Sequence, residues 1–278
     1  MSLRILVKAL ASHPLARIGG PLLLALALIA IIGPAIYPHT SQDLFDPLAP
    51  PSRAHPLGTN DLGQDLLGEL LHGARVSLGL GATAALAACF LGTLVGVTAG
   101  AYPRLGGALM RLVDLLIAVP RFPLIVLMAA FTRPGIGTLW LFFSLFGWPS
   151  VARIVHAAVL AERTSGYVLA ARAIGATRGR ILTRHLLPAA LPMAFTRFVR
   201  EMQHVIVAEA GLSFLGLGNP AVKSWGMTLS QASRYPALFL GDAWQWWVLP
   251  PGFAIALVCL ALSFLGLGLE TLTNPRLR

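Results

Sequence analysis

Tyr167-Val-Leu-Ala-Ala-Arg-Ala-Ile-Gly-Ala-Thr-Arg-Gly-Arg-Ile-Leu-Thr-Arg-His-Leu-Leu-Pro188 is a cationic, small-residue segment set between two long apolar stretches. Ala170 and Ala171 put small side chains on one side of a short helix. Gly175 accepts the left-handed backbone of a sharp turn, and Thr177 is placed to cap a second short helix. Nine residues after Gly175 come His185, Leu186, Leu187 and Pro188. A loop of this kind can be enclosed by a partner protein. The plain alternative is a basic loop that serves only to orient the chain.

The rest of the chain says what kind of surface this loop interrupts. Its 278 residues are 56% hydrophobic and 12% charged, with a mean hydropathy of +0.74. Soluble domains carry roughly 25% charged residues, so much of this surface must face lipid. The net charge of +10 does not point to nucleic acid, because the arginines fall between apolar runs and form no single soluble face. Cys89 and Cys259 both lie inside apolar stretches, where they read as small buried hydrophobes and imply no disulfide framework.

About 20 apolar residues are needed to cross a bilayer. Six stretches qualify, at about 18–37, 76–101, 109–131, 137–158, 191–215 and 246–269. The first is too long for a signal-peptide core and is read as an uncleaved helix. Lys and Arg bias sets orientation. With the N-terminus inside, the inner segments hold Arg4, Lys8, Arg17, Arg104, Arg111, Arg163, Arg172, Arg178, Arg180, Arg184, Arg276 and Arg278, with Glu162 as their nearby acid. The outer segments hold Arg53, Arg75, Arg133, Lys223 and Arg234 against Asp43, Asp46, Asp61, Asp65, Glu69 and Asp242. Both termini are therefore expected in the cytoplasm, on the same side as Tyr167–Pro188.

The loop's spacing now gains a second meaning. It resembles the cytoplasmic coupling loop of binding-protein-dependent ABC importer permeases, Glu-Ala-Ala, three residues, Gly, nine residues, Ile-x-Leu-Pro. The form here is most similar to the dipeptide, oligopeptide and nickel branch. Leu169 stands where that family usually has Glu, and His185 where it has Ile. Two outer segments carry the same resemblance. His55-Pro-Leu-Gly-Thr-Asn-Asp-Leu-Gly-Gln-Asp65 has Gln64 in place of the branch's Arg. Glu209-Ala-Gly-Leu-Ser-Phe-Leu-Gly-Leu-Gly218 is followed by Trp225-Gly226. Asp114 and Pro120 resemble the family's Asp-to-Pro spacing in the third span. The resemblance covers His55 to the C-terminus.

It implies an all-α membrane protein of six transmembrane helices with the type I ABC importer permease fold. Residues 1–72 would hold the first helix and an acidic extracytoplasmic loop, and residues 73–278 the permease core with its coupling loop at 162–188. Tyr167, Ala170, Ala171, Arg172, Gly175, His185, Leu187 and Pro188 would couple it to an ATPase. The implied partners are a homologous second permease in a heterodimer, two ATP-binding subunits that hold ATP and Mg, an extracytoplasmic solute-binding protein, and membrane lipid. This chain itself would bind no cofactor. The substrate would be a di- or oligopeptide, with nickel, metallophore chelates or glutathione as alternatives.

The residues add their own expectations. Thr59 or Asn60 could cap a short amphipathic helix through Leu66, Leu67, Leu70 and Leu71. Asp61 and Asp65, two carboxylates without His or Cys, make a poor metal site. Together with Ser213, Phe214 and Trp225 they are candidates for an outer gate or a binding-protein contact. Trp244, Trp246 and Trp247 suit the headgroup level. Gly92, Gly96 and Gly100 form a stripe that admits a close helix neighbour, and Pro120 should kink the third span.

On the fifth span Arg197, Arg200, Glu201 and His204 share a face, with Arg197 placed to pair with Glu201 at i,i+4. With Glu209 they are candidates for the substrate path, or else they hold a partner subunit or hydrate the inner vestibule. No Gly-x-x-x-x-Gly-Lys-Ser/Thr loop or His-Glu-x-x-His is present, and Gly211-Leu-Ser-Phe-Leu misses a nucleophile elbow by its last residue. ATP must therefore be hydrolysed elsewhere. A proton-coupled secondary transporter using Glu201, His204 and Glu209 would call for two related halves, and no internal repeat is evident.

Overall fold

The computed structural model describes residues 14–37, 39, 43–132 and 135–273, all of them helix, turn or loop apart from a single bridge between Thr59 and Asp65. Arg4, Lys8, Arg133, Arg276 and Arg278, which contribute to the orientation bias, lie outside the described residues. The helices are α1 (Pro14–Ile36), α2 (Leu66–Ala101), α3 (Pro103–Ala118), α4 (Arg121–Ala130), α5 (Ile136–Arg163), α6 (Gly166–Ala173), α7 (Arg178–Ile181), α8 (Leu187–Phe214), α9 (Trp225–Arg234), α10 (Ala243–Trp247) and α11 (Leu249–Thr273). A π-helical turn, Leu182–Leu186, joins α7 to α8.

Among the described residues four helical segments are long and apolar enough to cross a membrane: Pro14–Ile36, Leu66–Ala101, Ile136–Arg163 and Ala243–Glu270. A fifth arises if α3 and α4, bent by 75°, count as one broken span. The break falls at Val119 and Pro120, where proline lacks a backbone donor and its ring crowds the preceding turn. The expected fifth span lies in α8, 28 residues long, but Arg197, Arg200, Glu201 and Glu209 make it too charged to be recognised by composition.

The second helix starts earlier than its apolar run suggests. Asp65, not Thr59 or Asn60, is its N-cap, accepting from the Gly68 N–H at 2.8 Å. Leu66 to Leu71 are therefore the opening turns of a continuous 36-residue helix rather than a separate amphipathic piece. The division drawn at residues 72 and 73 falls inside this helix.

Packing starts from the glycine stripe. A Cβ on Gly92 would stand 2.6 Å from the Trp148 carbonyl oxygen, and one on Gly96 2.6 Å from that of Ala152. A Cβ on Gly100 would run into the Val159 side chain. Bare backbone lets α2 and α5 touch along their length, as the spacing predicts. α8 then lies against both, α11 packs against α8, and α1 lies against α11 and α2. One apolar cluster joins α2, α4, α5 and α8 through Leu80, Ile125, Phe143 and Leu212. A second, through Val97, Val155, Val168, Ile181 and Leu186, roots the 162–188 loop in the bundle.

At the opposite end Trp247 is fully buried with Leu66, Ala232 and Leu238. It is a core residue and not part of a headgroup belt, because the short α10 turns its ring under the loop that precedes α2.

Candidate functional site

The loop at 162–188 is built from local rules. α6 ends at Ile174, and Gly175 follows with φ +87°, a conformation that strains any side chain with a Cβ. The Thr177 hydroxyl then accepts the Arg180 N–H at 3.3 Å and starts α7. Nothing lies within 4 Å of a Cβ built on Gly175, so its requirement is conformational rather than steric. Val168 and Ile181 are buried anchors that the spacing of the motif does not single out.

Several other loop residues are exposed. Ala170, Arg172 and Tyr167 are exposed, and Ile174 stands 87% exposed at the tip. Tyr167 donates its hydroxyl to Glu162 Oε1, and that hydrogen bond raises the phenol's pKa. Its ring lies 5.5 Å from that of His185, which sits on the π-helical turn. Leu187 and Pro188, both partly buried, open α8. The eight residues singled out by spacing thus occupy one excursion from the bundle, its start and its end.

α8 divides its charges between two faces. Glu201 is buried and pairs with Arg121 of α4, whose Nη2 also donates to the Phe143 carbonyl at 3.2 Å. The expected Arg197–Glu201 pair within the helix is replaced by this tertiary one. Arg121 follows Pro120 in the middle of an apolar span, and an ionisable residue there was the signal of a buried partner. Glu209 is buried too, with Oε1 accepting from Ser213 Oγ at 2.8 Å and Ser224 Oγ at 2.6 Å. Neither carboxylate reaches the open face.

That face carries Arg200, His204, Val207 and Phe214, all exposed, at spacings of four, three and seven residues along one side of the helix. Arg200 pairs with Glu270 at the end of α11, and Arg197 is half-buried beside the stripe. Charged groups in a span face a partner or water rather than lipid.

The outer candidates prove to be largely interior. Asp65 is fully buried, contacting His55 Nδ1 at 2.8 Å and accepting from the Tyr37 hydroxyl at 3.1 Å, while Asp61 is exposed. Burial, reinforced by the Asp65 charge and hydrogen bond, pushes the Tyr37 pKa up to about 12. Thr59 accepts the Ala49 N–H and donates to the Asp46 carbonyl. Asn60 Oδ1 takes the N–H groups of Leu62 and Gln64, closing a tight turn.

Ser213 and Trp225 are buried, and Phe214 between them in sequence is exposed. The Trp225 indole N–H donates to the Leu70 carbonyl at 3.0 Å and its backbone N–H to Ser77 Oγ at 3.3 Å. A further ion pair has no signal in local sequence: Lys223 Nζ lies 2.5 Å from the fully buried Glu69 Oε1 and also donates to Gln64 and Gln231. These contacts bind the two outer motifs together. Among the described residues no group of three or more His, Cys, Asp or Glu converges as metal ligands would.

The apolar helices and the rooted loop define a multi-pass helical membrane protein. Residues 88–278 match the family described as binding-protein-dependent transport system inner membrane component, and residues 3–51 match the N-terminal TM domain of oligopeptide transport permease C. The chain belongs to this family of binding-protein-dependent ABC transport permeases. The dipeptide transport system permease protein DppC of Bacillus subtilis is 34% identical over 275 residues, covering 98% of this chain and 85% of that protein. The oligopeptide transport system permease protein OppC of the same organism is 32% identical over 96% of this chain and 87% of its own length. The di/tripeptide transport system permease protein DppC of Pseudomonas aeruginosa is 33% identical over 96% and 90%. A chain of the methionine ABC transporter MetNI in an inward-facing conformation shares the fold, with a TM-score of 0.56 and 24% identity over 71% of this chain and 92% of that one. This is the type I ABC importer permease fold.

Proposed function

We propose that this chain is one permease subunit of an ATP-driven peptide importer in the cytoplasmic membrane. The observation that carries the reading is the open stripe of α8, Arg200 to Phe214, on a bundle whose loop at 162–188 projects from a rooted base. One lines a path and the other receives force. The relatives named for dipeptide, di/tripeptide and oligopeptide transport support peptides as the cargo. The cationic stripe suits a peptide's carboxylate.

In this reading α8 is the fifth of six crossings and both termini are cytoplasmic. A homologous second permease covers the open face, two ATP-binding subunits hold ATP and Mg against the coupling loops, and a solute-binding protein delivers cargo outside. The chain itself hydrolyses nothing. Closure of the ATPases draws the coupling loops together and opens the helices outward, and hydrolysis resets them. Asp61 and Phe214, the exposed outer candidates, meet the binding protein or the gate.

The test is uptake by the complete complex in proteoliposomes, with labelled di-, tri- and longer peptides compared against glutathione and a nickel chelate. ATP- and binding-protein-dependent accumulation of peptide is expected. Uptake of the chelate alone, or uptake driven by a proton gradient without ATP, would overturn the reading.

A further inference from the structure

We infer that the 162–188 loop recognises its ATPase by an apolar tip set in a cationic rim, so that the receiving cleft is acid-rimmed. The inference rests on the coupling role proposed above and supplies its chemistry.

Leu169, where the family usually carries Glu, is half exposed, and Ile174 is 87% exposed beside the open Gly175 turn. They give the loop apolar surface among its charges. Around them Arg172, Arg178, Arg180 and Arg184 are all exposed, and no described carboxylate forms an ion pair with any of them. The chain has no Asp or Glu between Glu162 and Glu201. Glu162, the one nearby acid, is held by the Tyr167 hydroxyl on α6. The loop therefore offers a partner positive charge and apolar surface, and little negative charge.

A carboxylate contributed by the permease is what Leu169 removes. The complementary arrangement has the carboxylates on the ATPase, facing arginines that can bind them through two parallel hydrogen bonds. Rim pairs of this kind act chiefly on association and are screened by salt. Ile174 enters the cleft, and the arginines fix its register.

The experiment uses the assembled complex in nanodiscs. ATP-binding-subunit retention is measured from about 50 to about 500 mM NaCl, a range over which the screening length falls severalfold. The unaltered protein is compared with Arg172→Glu combined with Arg178→Glu, and with Ile174→Asp, with permease heterodimer yield as the folding control. The charge reversal should weaken association by about tenfold or more, through lost and reversed rim pairs. The unaltered complex should lose its ATPases progressively with salt. In an Arg180→Lys complex, carbodiimide should form a zero-length link to an ATPase Asp or Glu.

If the reversal assembles normally while Ile174→Asp does not, docking is apolar only and the inference falls, leaving the coupling role intact. The inference falls equally if the reversal loses only affinity for phosphatidylglycerol vesicles. If neither variant affects assembly, the coupling role fails and takes the inference with it.

Discussion

Glu201 and Arg200 are neighbours in sequence, and removing each should have opposite consequences. Glu201 is 8% exposed at its side chain and Arg121 20%, and the two are paired across α8 and α4. The space around them is full: a Cβ on Gly147 would stand 2.7 Å from Glu201 Oε1 and 3.2 Å from Arg121 Nη2. Glu201→Ala leaves the largely buried guanidinium with only the Phe143 carbonyl as acceptor among the described residues, a change that costs about 3 kcal/mol. Arg200 and Glu270 are 53% and 28% exposed, and such pairs contribute about 0–1 kcal/mol. Arg200→Ala should therefore leave the fold intact and reduce peptide uptake. Arg121→Met combined with Glu201→Leu should recover most of the stability lost by Glu201→Ala, because well-packed apolar pairs replace buried ion pairs at little cost. Complex yield and thermal unfolding in nanodiscs read the first quantity, and proteoliposome uptake reads the second. Wild-type stability in Glu201→Ala would refute the keystone role of the pair, and wild-type uptake by Arg200→Ala would refute the pathway face.

Gly175→Trp should assemble, since its surroundings are open, yet strain the +87° backbone and uncouple ATP hydrolysis from transport. Normal substrate-stimulated ATPase activity in the reconstituted variant would count against this. Lys223→Ala should destabilise the outer half by about 3–5 kcal/mol by leaving Glu69 unpaired, and adding Glu69→Gln should recover part of it. Proteolysis at the 215–224 segment would report the loosening. Tyr37→Phe should cost about 1 kcal/mol by removing one donor to Asp65. Because folding raises this phenol from its ordinary value of 10.0 to about 12, the contribution is fully present below pH 10 and fades as pH rises toward 12. The penalty should therefore be the same at about pH 6 and pH 9 by thermal unfolding, and a difference between the two would reject the assignment.

What was legible in the sequence is what local chemistry decides. The Gly175 turn and Thr177 cap are specified by a handful of adjacent residues, and the proline break by Pro120 and its neighbour. The glycine stripe announced a close neighbour without naming α5, because a bare backbone states a distance and not a partner. Sequence reasoning failed where two acceptable local answers competed with a remote one. Thr59 and Asn60 are good caps by type, but both hydroxyl and amide are spent closing the preceding loop, so Asp65 takes the helix end. Arg197 has the right spacing for Glu201, but a buried carboxylate is better served by a partner that comes into the bundle with it. Arg121 does so from 80 positions away in the chain.

The same distinction explains why α8 resists recognition as a span. Its charges lower its apolar character for two unrelated reasons, and composition adds them together. Glu201 and Glu209 face the bundle, where Arg121 and two serine hydroxyls satisfy them. Arg200 and His204, turned by about 100° and about 60° from Glu201 around the helix, are exposed on the surface of the described chain, where Arg200 pairs with Glu270. A helix that is polar on its buried face needs its own subunit, and one that is polar on its open face needs water or another subunit. α8 requires both at once. On the function proposed above, a second permease covers the exposed side of α8 and the ATPase takes the bare tip of the 162–188 loop.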